Sequence, residues 1–410
     1  MGHLLSHPIT SKYVQTCGNV YYRCGVAEMQ GYRTNMEDTH NTILGVKQWK
    51  ANRQKQNSSS KANTAANSDH SNSHSQQSPP DPNDVAFFAI YDGHSGPAAA
   101  EFACVDLPLR VSELPDPFDK AAVSKMVMDS DAAFCKNTQV RAHGCTACFA
   151  IVQPIAGNDS SSARRYRVLV GNLGDSRCVI IGVDGRIRFV TSDHKPEDEA
   201  EAKRIRQAGG SVSFNRVDGE LAMSRAIGDY SYKGQPHLSA QQQKVIALPD
   251  IQLIECTAGE KLLIMCDGLV EKATNEQVVQ FTEHALQQQA AQQPAGRLNP
   301  ALAMQQLIDY SLDKGSKDNM SCLLVLFENG DDYNGDDQYV PGSIKDGEED
   351  RKFVETYLAY AKRHGIESGK CLQLARKADA QRGAGGGGGG PTGRASLGGS
   401  DAKDTIMLPP

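Results

Sequence analysis

Gly171-Asn172-Leu173-Gly174-Asp175-Ser176-Arg177-Cys178-Val179-Ile180-Ile181-Gly182-Val183-Asp184-Gly185-Arg186-Ile187-Arg188-Phe189-Val190 is a tight connection, an apolar run, a two-residue turn and a second apolar run. Asp184-Gly185 is a strong short-hairpin signal, because both residues tolerate the positive φ that a two-residue hairpin loop demands. Upstream, Thr146 to Pro154 and Tyr166 to Val170 are two more apolar runs, split by the polar loop Gly157 to Arg164. Val20 to Val26, Asn41 to Gly45, Val85 to Tyr91, Leu262 to Cys266 and Asn319 to Phe327 have the same character and the length of strands. Helical patterns are fewer. One starts at Pro97; Glu197 to Ala208 stops at Gly209-Gly210; Glu276 to Leu286 and Ala301 to Asp313 are joined by a low-complexity link, Gln287 to Arg297. Strand-turn-strand repeats with few helices between them predict an α+β fold of antiparallel sheets flanked by helices, and give little support to a parallel doubly wound sheet.

The chain's 410 residues suffice for one large core or two domains. Lys50 to Asn83 is rich in Ser, Asn, Gln and Pro, and reads as a disordered or surface insertion. Gly383 to Gly399 is dominated by glycine, so 381–410 reads as a disordered tail. What remains is a catalytic-sized unit within 1–329 and a charged, partly helical extension over 330–380, where Phe353, Val354, Tyr357, Leu358 and Ala361 have the spacing of an apolar helical stripe and Cys371 to Ala378 reads as another short helix.

A formal charge of −6, from 49 acidic and 43 basic residues, gives no electrostatic case for nucleic-acid binding. Eleven cysteines at irregular intervals suit a reducing compartment better than a disulfide framework. Cys145 and Cys148 have redox-motif spacing but lie in a strand-like stretch, where positions three apart point to opposite faces. No stretch has the length of a membrane span. Met1-Gly2-His3-Leu4-Leu5-Ser6 matches the glycine and serine spacing of an N-myristoylation site, and one acyl chain at Gly2 would give only marginal, reversible membrane attachment. The expected location is cytoplasmic, with nuclear or peripheral membrane association left open.

Four acidic stretches couple a carboxylate to a turn: Met36-Glu37-Asp38, Tyr91-Asp92-Gly93-His94-Ser95-Gly96, Cys266-Asp267-Gly268 and Lys317-Asp318-Asn319. An acidic residue beside glycine is usually a surface turn. Here several adjoin strongly apolar runs, which can hold carboxylates at strand ends facing one cleft. Such an oxygen-rich set suits Mg2+ or Mn2+ rather than zinc. Asp92 could bridge two cations, with Glu37 on one and Asp267 and Asp318 on the other, and the Gly93 carbonyl has no side chain to block its approach. Two such ions about 3.5–4 Å apart lower the pKa of a shared water and align it for in-line attack on phosphorus. Arg33, four residues before Glu37, could grip phosphate oxygens bidentately. His94 could protonate a departing serine or threonine oxygen.

These residues stand in an ordered series: Gly31-Tyr32-Arg33-Thr34-Asn35-Met36-Glu37-Asp38, Tyr91 to Gly96, Gly171 to Arg177, Ser192-Asp193-His194-Lys195-Pro196, Ser224-Arg225-Ala226-Ile227-Gly228-Asp229, Cys266-Asp267-Gly268 and Lys317-Asp318-Asn319-Met320-Ser321. The series closely resembles the metal-dependent type-2C serine/threonine protein phosphatase family. The resemblance implies a four-layer α-β-β-α fold around a central antiparallel β-sandwich, and a two-ion site at Glu37, Asp92, the Gly93 carbonyl, Asp267 and Asp318. It implies phosphate binding by Arg33, acid catalysis by His94, and Asp38 holding metal-bound water or orienting the ligands around it. It also implies a substrate-recognition flap over 197–228, a weaker third ion at Asp175 with help from Asp267, and a monomeric unit. Where the family often has Asp-Gly-Leu-Trp-Asp, this chain has Asp267-Gly268-Leu269-Val270-Glu271, which puts third-ion geometry in doubt. The implied activity is hydrolysis of phosphoserine and phosphothreonine in proteins. A small-molecule phosphoesterase and an inert phosphoprotein-binding scaffold are the alternatives.

Overall fold

The computed structural model describes residues 4–60, 81–155, 163–292, 297–328, 337–342, 351–384 and 406–407. Gly2 and most of the glycine-rich tail lie outside them. Two antiparallel sheets form the centre. The larger runs, in spatial order, Ile187–Val190, Arg177–Ile181, Lys261–Met265, Met320–Phe327, Tyr22–Arg33, Leu4–Gly18, Gln338–Val340 and Ile406–Met407. The smaller runs Asp250–Thr257, Arg165–Leu173, Ala147–Ile155, Ala86–Tyr91 and Thr39–Ile43. The fold is the α+β sandwich that the sequence predicts.

Ala86–Tyr91 explains why these strands read as continuous apolar runs rather than alternating ones. Ala86, Phe88 and Ile90 pack into the core that contains Val26 and Leu263 of the other sheet. Phe87, Ala89 and Tyr91 face the opposite way, into a core shared with helices Ala98–Val111 and Lys120–Phe134. With both faces covered, every residue of this strand is buried. The other outer layer is helices Asn275–Gln292 and Pro300–Asp313, which contribute Val278, Leu307 and Ile308 to the inter-sheet core. Asp119 and Asn299 start two of these helices by accepting hydrogen bonds from Ala121 N and Ala301 N at 2.9 and 3.0 Å. The same two-sidedness separates Cys145 from Cys148, which fall in different cores. All eleven cysteines are free thiols.

Several boundaries differ from the sequence reading. The polar segment from Lys50 opens as helix, Val46–Ser60, with Trp49 packed against the neighbouring core; 61–80 lies outside the described residues. The helix before the low-complexity link continues to Gln292. Gly31 is not the start of a turn: the strand runs on to Arg33, and Gly31 takes φ +65° beside a register shift. Leu4–Gly18 is a strand that the sequence hides, because its run is broken by Ser6, His7, Thr10, Ser11 and Lys12. The extension is no loose appendage. Helices Arg351–Arg363 and Ser368–Ala384 close a third core of Leu5, Ile9, Met36, Tyr339, Phe353, Tyr357 and Tyr360.

Candidate metal centre

Each acidic motif sits at a strand end. Ala86–Tyr91 delivers Asp92, Lys261–Met265 delivers Asp267 as the first residue of the short helix Asp267–Val270, and Asp318 precedes Met320–Phe327. Antiparallel pairing brings these ends to one rim, with Met265 opposite Cys322, Met320 opposite Met29 and Thr39 opposite Tyr91. Helix Pro300–Asp313 stops through hydrogen bonds from Gly315 N to Leu312 O and Ser316 N to Ser311 O, with Gly315 at φ +94°. Ser316 Oγ then donates to Gly268 O at 2.8 Å, tying the Asp318 loop to the Asp267 loop. Two glycines allow backbone to meet backbone: a Cβ on Gly93 would overlap Glu37 O, and one on Gly268 would overlap Asn319 O.

Asn319 is the hub of the Glu37 loop. Its Oδ1 accepts from Glu37 N at 2.9 Å, and its Nδ2 donates to Gln30 O and Asn35 O at 2.8 and 3.0 Å. Sequence reasoning assigned it no role, since its neighbours in space come from 280 residues away in the chain or more.

Among the described residues, one group of carboxylates could hold an ion: oxygens of Asp267, Glu271 and Asp318 lie within 4.8 Å of one another. Glu271, which departs from the family pattern, reaches into it. Asp92 lies beside Asp267, close enough for its charge to push the Asp267 carboxyl up. Burial, and then the neighbouring carboxylates, push both Asp92 and Asp267 well above the usual carboxylate range. Asp38 is buried and accepts from Ser321 Oγ at 2.7 Å. Burial outweighs that hydrogen bond and, with Asp318 and Glu28 nearby, takes Asp38 up to about 8. Crowded, desolvated carboxylates of this kind call for a proton or a cation, and the all-oxygen donor set fits a hard divalent ion.

Other expected residues are placed as follows. Arg33 pairs with Asp318 and remains 42% exposed at the rim. Asp175 is held by Lys195 Nζ at 2.7 Å, while its Oδ1 is buried without a partner. Lys195 thus brings a cation to the position that the resemblance links to a weaker third ion. Glu37 and Asp175 lie outside the three-carboxylate group.

His94 is positioned by a small three-stranded sheet, Ile227–Gly228, Gly144–Cys145 and Gly93–His94. Across it, His94 Nε2 donates to Asp229 at 2.9 and 2.8 Å to the two oxygens. A Cβ on Gly144 would overlap both partners. Burial depresses the imidazolium, but the charge and hydrogen bond of Asp229 outweigh it, so the pKa of His94 is raised. Nδ1 is buried with no partner. Asp229 takes left-handed backbone at φ +52° to reach this position; its motif, Ser224 to Asp229, does not by itself reveal the pairing with His94.

A family model described as "Protein phosphatase 2C" matches residues 50–320. A probable protein phosphatase 2C of Caenorhabditis elegans is 32% identical over 292 residues, spanning 70% of this chain and 69% of the relative. Probable protein phosphatase 2C 5 of Paramecium tetraurelia is 31% identical over 347 residues, spanning 80% of this chain and all of the relative. Among solved structures, a phosphatase from Toxoplasma gondii superposes with a TM-score of 0.62 at 25% identity, covering 80% of this chain and 99% of that one. With the strand-end carboxylates and these matches together, the chain belongs to the type-2C family of serine/threonine protein phosphatases.

Proposed function

We propose that the chain hydrolyses phosphoserine and phosphothreonine in proteins, using two divalent cations, Mg2+ or Mn2+, held by Glu37, Asp92, the Gly93 carbonyl, Asp267 and Asp318. The carrying observation is the convergence of Asp267, Glu271 and Asp318 oxygens within 4.8 Å, with Asp92 against Asp267. When bound, such ions would supply Lewis acidity and lower the pKa of a nearby water, chemistry suited to direct hydrolysis of a phosphomonoester without a phosphoenzyme. Asp38, fixed by Ser321, would orient the neighbouring ligands or hold water at the site. Arg33 stands at the rim with its guanidinium toward Asp318, so a phosphate bound there meets a forked donor. His94 carries its transferable proton on Nδ1, because Nε2 is committed to Asp229. Asp229 keeps that imidazole charged and fixed in rotation, as a general acid for an alkoxide leaving group requires.

Substrate class is tested with matched phosphoserine, phosphothreonine and phosphotyrosine peptides and a small aliphatic phosphomonoester, each with Mn2+ or Mg2+ and again with chelator. Metal-supported release from the first two peptides at far higher kcat/KM than from the other two substrates is the expected result. Preference for the small monoester would favour a small-molecule phosphoesterase, and binding without release would favour a scaffold.

A further inference from the structure

The C-terminal helix Arg351–Arg363 ends on the Glu37 loop. Arg363 Nη1 donates to Met36 O at 2.6 Å and Nη2 donates to Asp38 O at 2.7 Å. These two carbonyls flank Glu37, whose own N–H is held from the other side by Asn319. One planar guanidinium therefore holds the Met36–Glu37 peptide and the Asp38–Thr39 peptide, one on each side of the residue assigned above as an ion ligand. The fork matters: an ammonium could satisfy one carbonyl well, but has no two parallel donors.

Arg363 is itself held firmly. The helix stops through hydrogen bonds from Gly365 N to Lys362 O and Ile366 N to Ala361 O, both 3.0 Å, with Gly365 at φ +73°. This double bond pattern is completed by Ala361 and Ile366 burying in the same core. Met36 is buried there too, so the loop is gripped by its side chain as well as by its carbonyls. Tyr360 Oη, one turn earlier, donates to Glu28 O at 3.0 Å and pins the helix to strand Tyr22–Arg33.

We propose that Arg363 is a positioning residue for Glu37, so that the C-terminal helices are a working part of the metal centre and set its divalent-cation affinity. The assignment rests on Glu37 being an ion ligand.

The test is Mn2+ binding by calorimetry on the full chain, with thermal melting in chelator alongside, for wild type, Arg363→Lys, Arg363→Ala and Tyr360→Phe. Groups that orient a ligand from behind typically change metal affinity by about 10- to 100-fold. Arg363→Ala is expected to weaken Mn2+ binding by about tenfold or more and Arg363→Lys by less, while Tyr360→Phe matches wild type. If Arg363→Ala does not fold in chelator, the Lys variant against Tyr360→Phe decides. Arg363 variants that melt lower yet bind Mn2+ as wild type does would overturn the positioning role, as would equal losses in Tyr360→Phe. Wild type that binds no Mn2+ would instead remove the metal reading itself.

Discussion

At the residue scale, some groups of the site are placed to move a proton and others only hold another group in place. His94 is aligned by two hydrogen bonds from Nε2 to Asp229. Asp229→Asn should lower kcat on a phosphothreonine peptide about 100-fold, in the range that general acid catalysis supplies. On p-nitrophenyl phosphate, whose leaving group needs no proton, the loss should be several-fold at most. Equal losses on both substrates would assign Asp229 to architecture and not to proton transfer. Asp92 and Asp267 were legible as candidates because each ends an apolar run beside a glycine, and Asp318 because it stands just before one. The contacts of Asp229, Asn319 and Lys195 were not, since their motifs do not say what each will touch. Their roles exist only once Gly144 lets Asp229 reach His94, and once strand pairing brings Asn319 to Glu37.

At the element scale, the segment between Asp193 and Asp229 is fastened at its base by Glu201 on helix Glu199–Gln207. Glu201 accepts from Arg204 at 2.6 Å, from Arg225 at 2.7 and 3.1 Å and from Ser224 Oγ at 2.5 Å. Burial alone would raise its carboxyl, but the hydrogen bonds from Arg225 and Ser224 and the charges of both arginines bring it down to about 2. A depressed carboxyl contributes stability above its unfolded value near 4.5 that is lost as pH falls toward 2. After allowance for solvent screening, that contribution is roughly 2 kcal/mol. Glu201→Gln should thus be less stable than wild type in urea at pH 7, with the gap narrowing as pH falls from 4.5 toward 2, where the unfolded carboxyl takes up a proton and the native one stays ionised. A gap constant with pH would show that Glu201 acts by shape and not by charge. Helix Glu199–Gln207 was readable from its Gly209-Gly210 stop, whereas Leu4–Gly18 was not, since its polar residues gain meaning only from the elements on either side.

At the scale of the whole molecule, the chain closes on itself. The first strand pairs with Gln338–Val340, and helices from beyond residue 350 bury against Leu5, Ile9 and Met36. Phe353 is fully buried there, 4.1 Å between ring centroids from His7. Phe353→Ala should cost about 3–5 kcal/mol in denaturant unfolding. It should also lower activity at limiting Mn2+, because the same core carries Met36. A loss under 1 kcal/mol would mean that the C-terminal helices are dispensable to the fold. The sandwich itself was legible from buried strands and hairpin turns. This third core was not, since an apolar stripe on a helix does not say which distant strand will receive it.

The central claim is that the clustered carboxylates bind the cations that drive hydrolysis. Its most direct test is phosphate release from a phosphothreonine peptide across an Mn2+ titration, for wild type and Asp267→Asn with matched melting profiles. The account predicts saturable activation of wild type, silence in chelator, and no release from Asp267→Asn at any Mn2+ concentration. Release that persists in chelator, or an Asp267→Asn curve that overlays wild type, would contradict it.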